Sequence, residues 1–255
     1  VVRWHRAQSE CASAWAALML RMPPPKMLVS DGSPGLAKAA AAVWPETRVQ
    51  RCTFHAAGQV RRCTTLRPKL EAGVELLGIA NRLMGAKDAD SAVEWLLEYN
   101  AWCVKWASFL KEFTVKDGKR AYTHERLRKA RRSLNGLVRE GTLFTFVEMQ
   151  REHGGEWPST NNAVESVNAR LRATLRHHRG LPLMHRIKAI FWWCYMHTEN
   201  PLPPAEIIRV MPTDDDVDGL FAAASPSKRR DDGAPEEYGA GIIWSEFHMP
   251  TDYRQ

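Results

Sequence analysis

The sequence predicts an α/β protein interrupted by an all-helical region and followed by an acidic tail. Three observations carry this expectation. Short apolar runs alternate with helical segments over residues 1–55, helical periodicity then takes over from about 56 to 139, and beyond 198 the pattern decays into Pro, Gly, Ser and Asp. With 44% hydrophobic residues and ten tryptophans, the 255-residue chain has ample bulk for a core.

Residues 1–7 are β-compatible and read as a strand. Residues 9–22 read as a helix, with Ala14, Trp15, Leu18 and Met19 on one face. Pro23, Pro24 and Pro25 end it, because proline lacks an amide donor and clashes with the preceding turn. The apolar run 26–30 leads into Asp31-Gly32, the pattern of a buried parallel strand closing at its carboxyl edge. Residues 34–43 (PGLAKAAAAV) are alanine-rich and helical, stopping before Pro45. Residues 47–52 form a further short strand that runs toward His55.

Over 56–139 the expected helices carry apolar stripes at Leu70, Val74, Leu77 and Met84, at Val93, Leu96, Cys103, Trp106 and Leu110, and at Leu127, Ala130, Leu134 and Leu137. The third is strongly basic, with Arg126, Arg128, Lys129, Arg131 and Arg132 close together. Two more helices are expected over 159–178 and 184–197. Residues 199–255 read as a largely disordered tail.

Charge is segregated along the chain. Residues 1–198 carry 31 Lys/Arg against 17 Asp/Glu, and residues 199–255 carry 5 against 12. A basic body with an acidic tail suits a polyanionic partner, most often nucleic acid, although a solvated basic surface is the commoner origin of such a charge. Five scattered cysteines argue against a disulfide framework and for a reducing, cytoplasmic compartment. No run approaches the about 18 apolar residues of a membrane span, and the start Val1-Val2-Arg3 lacks the build of a signal peptide.

Three groups of residues are equipped for chemistry. Asp31, at the carboxyl end of a parallel strand, stands where open α/β sheets present their sites; it also fits an Asx-turn or helix-capping role. Gly32 and Gly35 are expected to let the backbone turn tightly there. On helix 159–178, with Val164, Val167, Leu171 and Leu175 as its buried stripe, Glu165, Asn168, Arg172 and Arg176 share a neighbouring face. That face could hold a metal ion and grip phosphate, or, with Asn162 as N-cap, Glu165 is the acid of a capping box. Cys52-x-x-His55 is half of a zinc-type pattern without a second pair, so Cys52 also fits as a small buried hydrophobe.

The blocks VSDG at 29–32, QRCTFH at 50–55 and STNNAVESVNARLR at 159–172 resemble, in this order and spacing, the signature blocks of Mutator-like bacterial insertion-sequence transposases of the DDE type. The resemblance implies a ribonuclease-H-like catalytic core over 1–55 and 141–198, interrupted by a helical insertion over 56–140, and ends before the acidic tail over 199–255. It implies Asp31, Glu165 and His55 as catalytic residues, with Asp31 and Glu165 the metal-binding carboxylates and His55, in the motif Cys52-x-x-His55, a helper near the scissile phosphate, and two Mg²⁺ or Mn²⁺ ions. It implies DNA contacts at Arg126, Arg128, Lys129, Arg132, Asn161, Asn162, Arg172 and Arg176, with the insertion-sequence ends and target DNA as partners. Further copies of the chain or a full-length transposase are the protein partners implied.

In one respect the chain departs from this pattern. The family's first catalytic aspartate lies on the first strand of the sheet, whereas no Asp or Glu precedes Glu10 here. A truncated form, inactive alone in strand transfer, is therefore expected, as is an unpaired apolar edge on the strand carrying Asp31. The other expectation is a non-catalytic DNA-binding or dimerising remnant that modulates a full-length transposase.

Overall fold

A computed structural model describes residues 9–116 and 118–216. In chain order the elements are α1 (Ala12–Met19), β1 (Met27–Ser30), α2 (Pro34–Val43), β2 (Arg48–Arg51), α3 (Thr53–Thr64), α4 (Glu71–Leu83) and α5 (Ala89–Lys105). A short 3₁₀ turn (Phe109–Lys111) leads to β3 (Phe113–Lys116) and β4 (Lys119–Tyr122). Then follow α6 (Glu125–Arg139), α7 (Thr145–His153), α8 (Asn162–His177), α9 (Leu183–Met196) and α10 (Pro204–Val210). The expected strand at 1–7 and residues 217–255 of the expected tail lie outside the described residues. The fold is mixed α/β, predominantly helical, with two two-stranded sheets among the described residues. None of these helices is long and apolar enough to cross a membrane, and all five cysteines are free.

The chain divides into two compact units. One comprises Pro25–Gly32 and Thr47–Asn161. Here β1 and β2 run parallel in the register Met27↔Arg48 to Ser30↔Arg51. Gln50, fully buried on β2, binds the start of α7: its Nε2 donates to Leu143 O (2.9 Å) and Arg51 O (2.6 Å), and its Oε1 accepts from Phe146 N–H (3.1 Å). That last bond satisfies one of the amides a helix start leaves without an intrahelical partner. Thr145 Oγ1 donates to Val49 O (2.8 Å), and the Arg48 guanidinium bridges Glu148 and Glu152 of α7. Helix and strand are therefore joined by polar bonds from three consecutive strand residues.

The core of this unit lies among α3, α4, α5 and α6. Its centre is an aromatic ladder on α5, Trp95, Tyr99 and Trp102, with ring centroids 5.3 and 6.3 Å apart. Each polar edge finds a partner: Trp95 Nε1 donates to Ile79 O, Trp102 Nε1 to Ala72 O, and Tyr99 Oη to Arg131 O. Small residues on α4 (Ala72, Gly73, Ala80) let these rings approach its backbone. The side chains of Asp88 and Ser91 cap α5 reciprocally.

Two expectations for this region are corrected. The buried face of α4 is Ala72, Leu76, Ile79, Ala80 and Leu83, while Val74 is 52% exposed and Leu70 and Met84 are also exposed. On α5 the ladder is buried; of the expected stripe Leu96, Cys103 and Trp106 pack against the core and Leu110 beyond the helix is buried, while Val93 is exposed. The rings bury far more area per residue than the aliphatic stripe, and their demand sets the rotation of both helices. On α6 the expected face holds: Leu127, Ala130 and Leu134 are buried, and Leu137 packs against them. Nor is this stretch all helical, because β3 and β4 form an antiparallel hairpin with Phe113 opposite Tyr122. Val115 and Thr114 are β-branched, and Asp117-Gly118 is the dipeptide that favours tight hairpin turns, with Gly118 at φ +73°.

The other unit comprises the described chain up to Pro24, then Ser33–Glu46, and from Asn162 onward. α1 packs on α2, and Gly35 serves this contact rather than the turn expected of it: a Cβ there would lie 3.3 Å from the backbone N of Ala12. Met19, Leu36, Ala39, Ala40 and Trp44 are buried. α8 packs on α9, where Ile187, Trp193 and Cys194 are buried. The expected tail begins with order: α10 buries Ile207, and Lys188 pairs with Asp214 at 2.5 Å.

Candidate functional site

The parallel pairing of β1 and β2 sets their carboxyl ends side by side. Asp31 and the Cys52–His55 segment leave the sheet from these ends, and Cys52 N–H donates to Ser30 O at 2.7 Å. Ser30 is buried, and its Oγ accepts from Gly32 N–H at 3.0 Å, which curls the chain immediately after Asp31. Gly32 has φ +91°, a left-handed conformation that a side chain resists. Asp31 itself is half-buried.

Cys52 is wholly buried and starts α3. Its Sγ lies 3.2 Å from His55 Nδ1, so the thiol and the ring orient one another, and the tautomer decides which donates. His55 is half-buried, with the exposed ring of Phe54 edge-on to it at 5.7 Å. The start of α3 is tied down on its other side, where Thr53 N–H donates to Ser159 O at 3.0 Å. The structure thus brings Asp31, Cys52 and His55 to one end of one sheet. Among the described residues no group of three or more His, Cys, Asp or Glu is arranged to hold a metal ion, and Cys52 and His55 acquire no second zinc-type pair.

Glu165 belongs to the other unit. α8 begins at Asn162, which puts Glu165 at the fourth helical position, one beyond the capping-box place. Glu165, Asn168 and Arg172 are half-buried along one face, and Arg176 is exposed. The expected apolar stripe is only partly realised: Leu175 is buried, Val167 and Leu171 are half-buried, and Val164 is exposed. Asn161 is half-buried at the end of its unit, and Asn162 is exposed.

The basic residues of α6 differ in their commitments. Arg126 is exposed, and its Nη2 donates to Arg62 O at 2.7 Å. Lys129 and Arg132 are exposed, Arg132 standing 4.0 Å from Glu125. Arg128 is engaged within the fold: its guanidinium lies over the Tyr122 ring at 3.4 Å and Nη1 donates to Leu110 O at 2.7 Å. It braces the β3–β4 hairpin against α6.

One residue of the site carries no functional signal in the sequence. Arg51, at the end of β2, has only 9% of its surface exposed, and its guanidinium lies on the face of Gly32. The only sign in the sequence was a charged residue at the inner end of a short strand.

In comparison with protein families the chain matches the model described as transposase, Mutator family, over residues 4–190. The chain belongs to this family of transposases. The matched span includes Asp31, Cys52, His55 and Glu165. No curated protein and no solved structure matches the chain.

Proposed function

We propose that the chain is the catalytic part of a DDE-type transposase that cuts and joins the ends of an insertion sequence, with Asp31 and Glu165 as two of its metal-binding carboxylates. The observation that carries this reading is the placement of Asp31 at the carboxyl end of β1, beside the Cys52–His55 segment, in a chain of the Mutator family. A parallel strand pair followed by a mainly helical stretch before the glutamate helix supports a ribonuclease-H-like core with an insertion.

The donors fit a magnesium or manganese ion in kind. Carboxylate oxygens are hard ligands, and such ions are commonly held by one or two carboxylates, with water and substrate phosphate completing the shell. When bound, a pair of these ions activates a hydroxyl nucleophile and stabilises the leaving oxygen in phosphodiester displacement. The chain's own contribution is to orient and to neutralise. The curled turn after Asp31 holds its carboxylate at the sheet end. His55, oriented by Cys52, offers Nε2 to a phosphate oxygen or a water. Arg126, Lys129 and Arg132 on α6, and Arg172 and Arg176 on α8, would neutralise backbone phosphates, and release of the DNA's counterions makes such binding salt-sensitive. The partners are then insertion-sequence ends and target DNA, with further copies of the chain or a full-length transposase in the assembly.

The test is DNA-end binding by the 255-residue chain in Mg²⁺, in Mn²⁺ and in EDTA, repeated with Asp31→Asn and Glu165→Gln. The reading expects divalent metal to tighten binding and each substitution to abolish that gain. A gel shift equally strong in EDTA and untouched by both substitutions would overturn it, in favour of a non-catalytic DNA-binding protein.

A further inference from the structure

The feature that the proposed function does not use is Arg51. Arginine is almost never fully buried, because removing its charge from water is costly, yet here nine-tenths of the residue is covered. Its location is specific. A Cβ built on Gly32 would stand 1.4 Å from Arg51 Nη1 and 2.4 Å from Cζ. The guanidinium therefore occupies the place where a side chain at position 32 would be, against the turn that follows Asp31.

The base of this arm is fixed on both sides. Arg51 N–H donates to Thr142 O (2.7 Å), its carbonyl accepts from Gln50 Nε2 (2.6 Å), and it pairs in register with Ser30. A side chain this covered is not placed to grip a DNA phosphate. It is placed to set the turn.

We propose that Arg51 is a positioning residue for Asp31, its guanidinium serving as the template against which the Asp31–Gly32 turn is formed. The proposal rests on the reading of Asp31 as a metal-binding carboxylate. It also explains why position 32 is glycine twice over: φ is +91°, and the space for a side chain is already filled.

The sign of one effect separates positioning from mere proximity. A cation that only lay near the site would oppose a divalent ion, and its removal would tighten metal binding. A positioning guanidinium has the opposite signature, because its loss lets the carboxylate wander. The experiment titrates Mn²⁺ alone into the 255-residue chain, following free Mn²⁺ by its paramagnetic resonance, for wild type, Arg51→Ala, Arg51→Lys and Asp31→Asn. Circular dichroism confirms folding of each variant. Arg51→Ala is expected to weaken Mn²⁺ binding by about 10-fold or more, as loss of a ligand's supporting partner typically does. Arg51→Lys keeps the charge without the planar fork and is expected to recover little of the loss; it also serves if Arg51→Ala does not fold. Unchanged or tighter binding in folded Arg51 variants would overturn the proposal.

Asp31→Asn separates metal binding by Asp31 from the turn-holding role of Arg51. If it leaves Mn²⁺ binding intact, the metal reading of Asp31 fails, and a thermal double-mutant cycle decides whether Arg51 holds the turn. Gly32→Ala should lower the melting temperature markedly in the wild type and distinctly less in the Arg51→Ala background, where the space is vacant. Equal losses in both backgrounds would place the guanidinium elsewhere and refute the turn-holding role.

Discussion

Replacing Gln50 with leucine is expected to unfasten α7 from β2. Gln50 has no solvent exposure and serves three backbone groups: Phe146 N–H, Leu143 C=O and Arg51 C=O. Leucine has similar volume and no polar atom, so all three groups lose this partner inside the protein. A buried backbone group left without a partner costs about 1–3 kcal/mol, the amide toward the upper end and the carbonyls, with two lone pairs each, toward the lower. Set against this, leucine gains roughly 1–2 kcal/mol from burial of apolar surface. The net loss is about 2–4 kcal/mol, a large share of the roughly 5–15 kcal/mol that holds a domain folded. At this size it lowers the melting temperature by roughly 5–15 °C. Urea denaturation followed by far-ultraviolet circular dichroism measures it directly, as a lower midpoint with an unchanged slope. Gln50→Glu supplies an internal control. Facing two carbonyls, the new carboxyl is protonated more readily in the folded state, so its pKa is raised there. A raised folded pKa gives stability that is present at low pH and lost as pH rises, so this variant should be closest to wild type near pH 4. A loss below about 1 kcal/mol for Gln50→Leu, or no pH trend for Gln50→Glu, would refute the account of the β2–α7 junction.

Three further outcomes are expected. Replacing Arg126, Lys129 or Arg132 with alanine should each lower the salt slope of DNA binding by about 1, whereas Arg128→Ala should leave the slope and lower the melting temperature, because its guanidinium is spent on Tyr122 and Leu110 O. In native protein at pH 8, maleimide or iodoacetamide should label Cys63 well before Cys52 and Cys194; both are buried, and burial pushes the Cys194 thiol up to about 11. Acid should destabilise the unit that contains α4, α5 and α7. The Lys105 ammonium and the Trp106 indole hold the Glu75 carboxyl below the usual carboxylate range, and the Arg48 guanidinium does the same for Glu152. A depressed folded pKa gives stability that is present above the unfolded value, about 4.3 for glutamate, and lost as pH falls through the folded value. Melting temperature should therefore be level from pH 7 to 5 and decline below about pH 4; a rise on acidification would contradict the two ion pairs.

How much of this was legible in the sequence follows from the range of the forces involved. Strand β1, helix α2 and strand β2 are legible almost to the residue, because proline punctuation and short apolar runs act over a few neighbours. The basic helix α6 is legible too, stripe included, since its apolar and charged residues alternate so strongly that one face can be buried. On α4 the periodicity is right and the face is wrong, whereas on α5 the expected Leu96, Cys103 and Trp106 do pack against the core and only Val93 is exposed. Helix α4 offers two candidate stripes, and the choice is made by Trp95, Tyr99 and Trp102 of α5 meeting its small residues, a contact between segments that no single window contains. The hairpin at 113–122 is not legible in the sequence, for a similar reason. Its strands have four residues each and are held by the Phe113–Tyr122 stack and by Arg128 from the following helix.

The sites divide in the same way. Order and spacing of VSDG, QRCTFH and TNN-x-x-E were properties of the chain itself, sufficient to point to the Mutator transposases, and the family match over 4–190 agrees. That Asp31 would follow a strand and Glu165 lie on a helix was also local information. Folding decided what surrounds these positions: parallel pairing put Ser30 beside Arg51, Gln50 reached across to α7, and the Arg51 guanidinium came to rest on Gly32. Backbone propensity and proline or glycine punctuation are written in neighbouring residues and survive in one dimension. The packing of a buried guanidinium against a particular glycine depends on register between segments some twenty residues apart, and comes into being only when the strands pair.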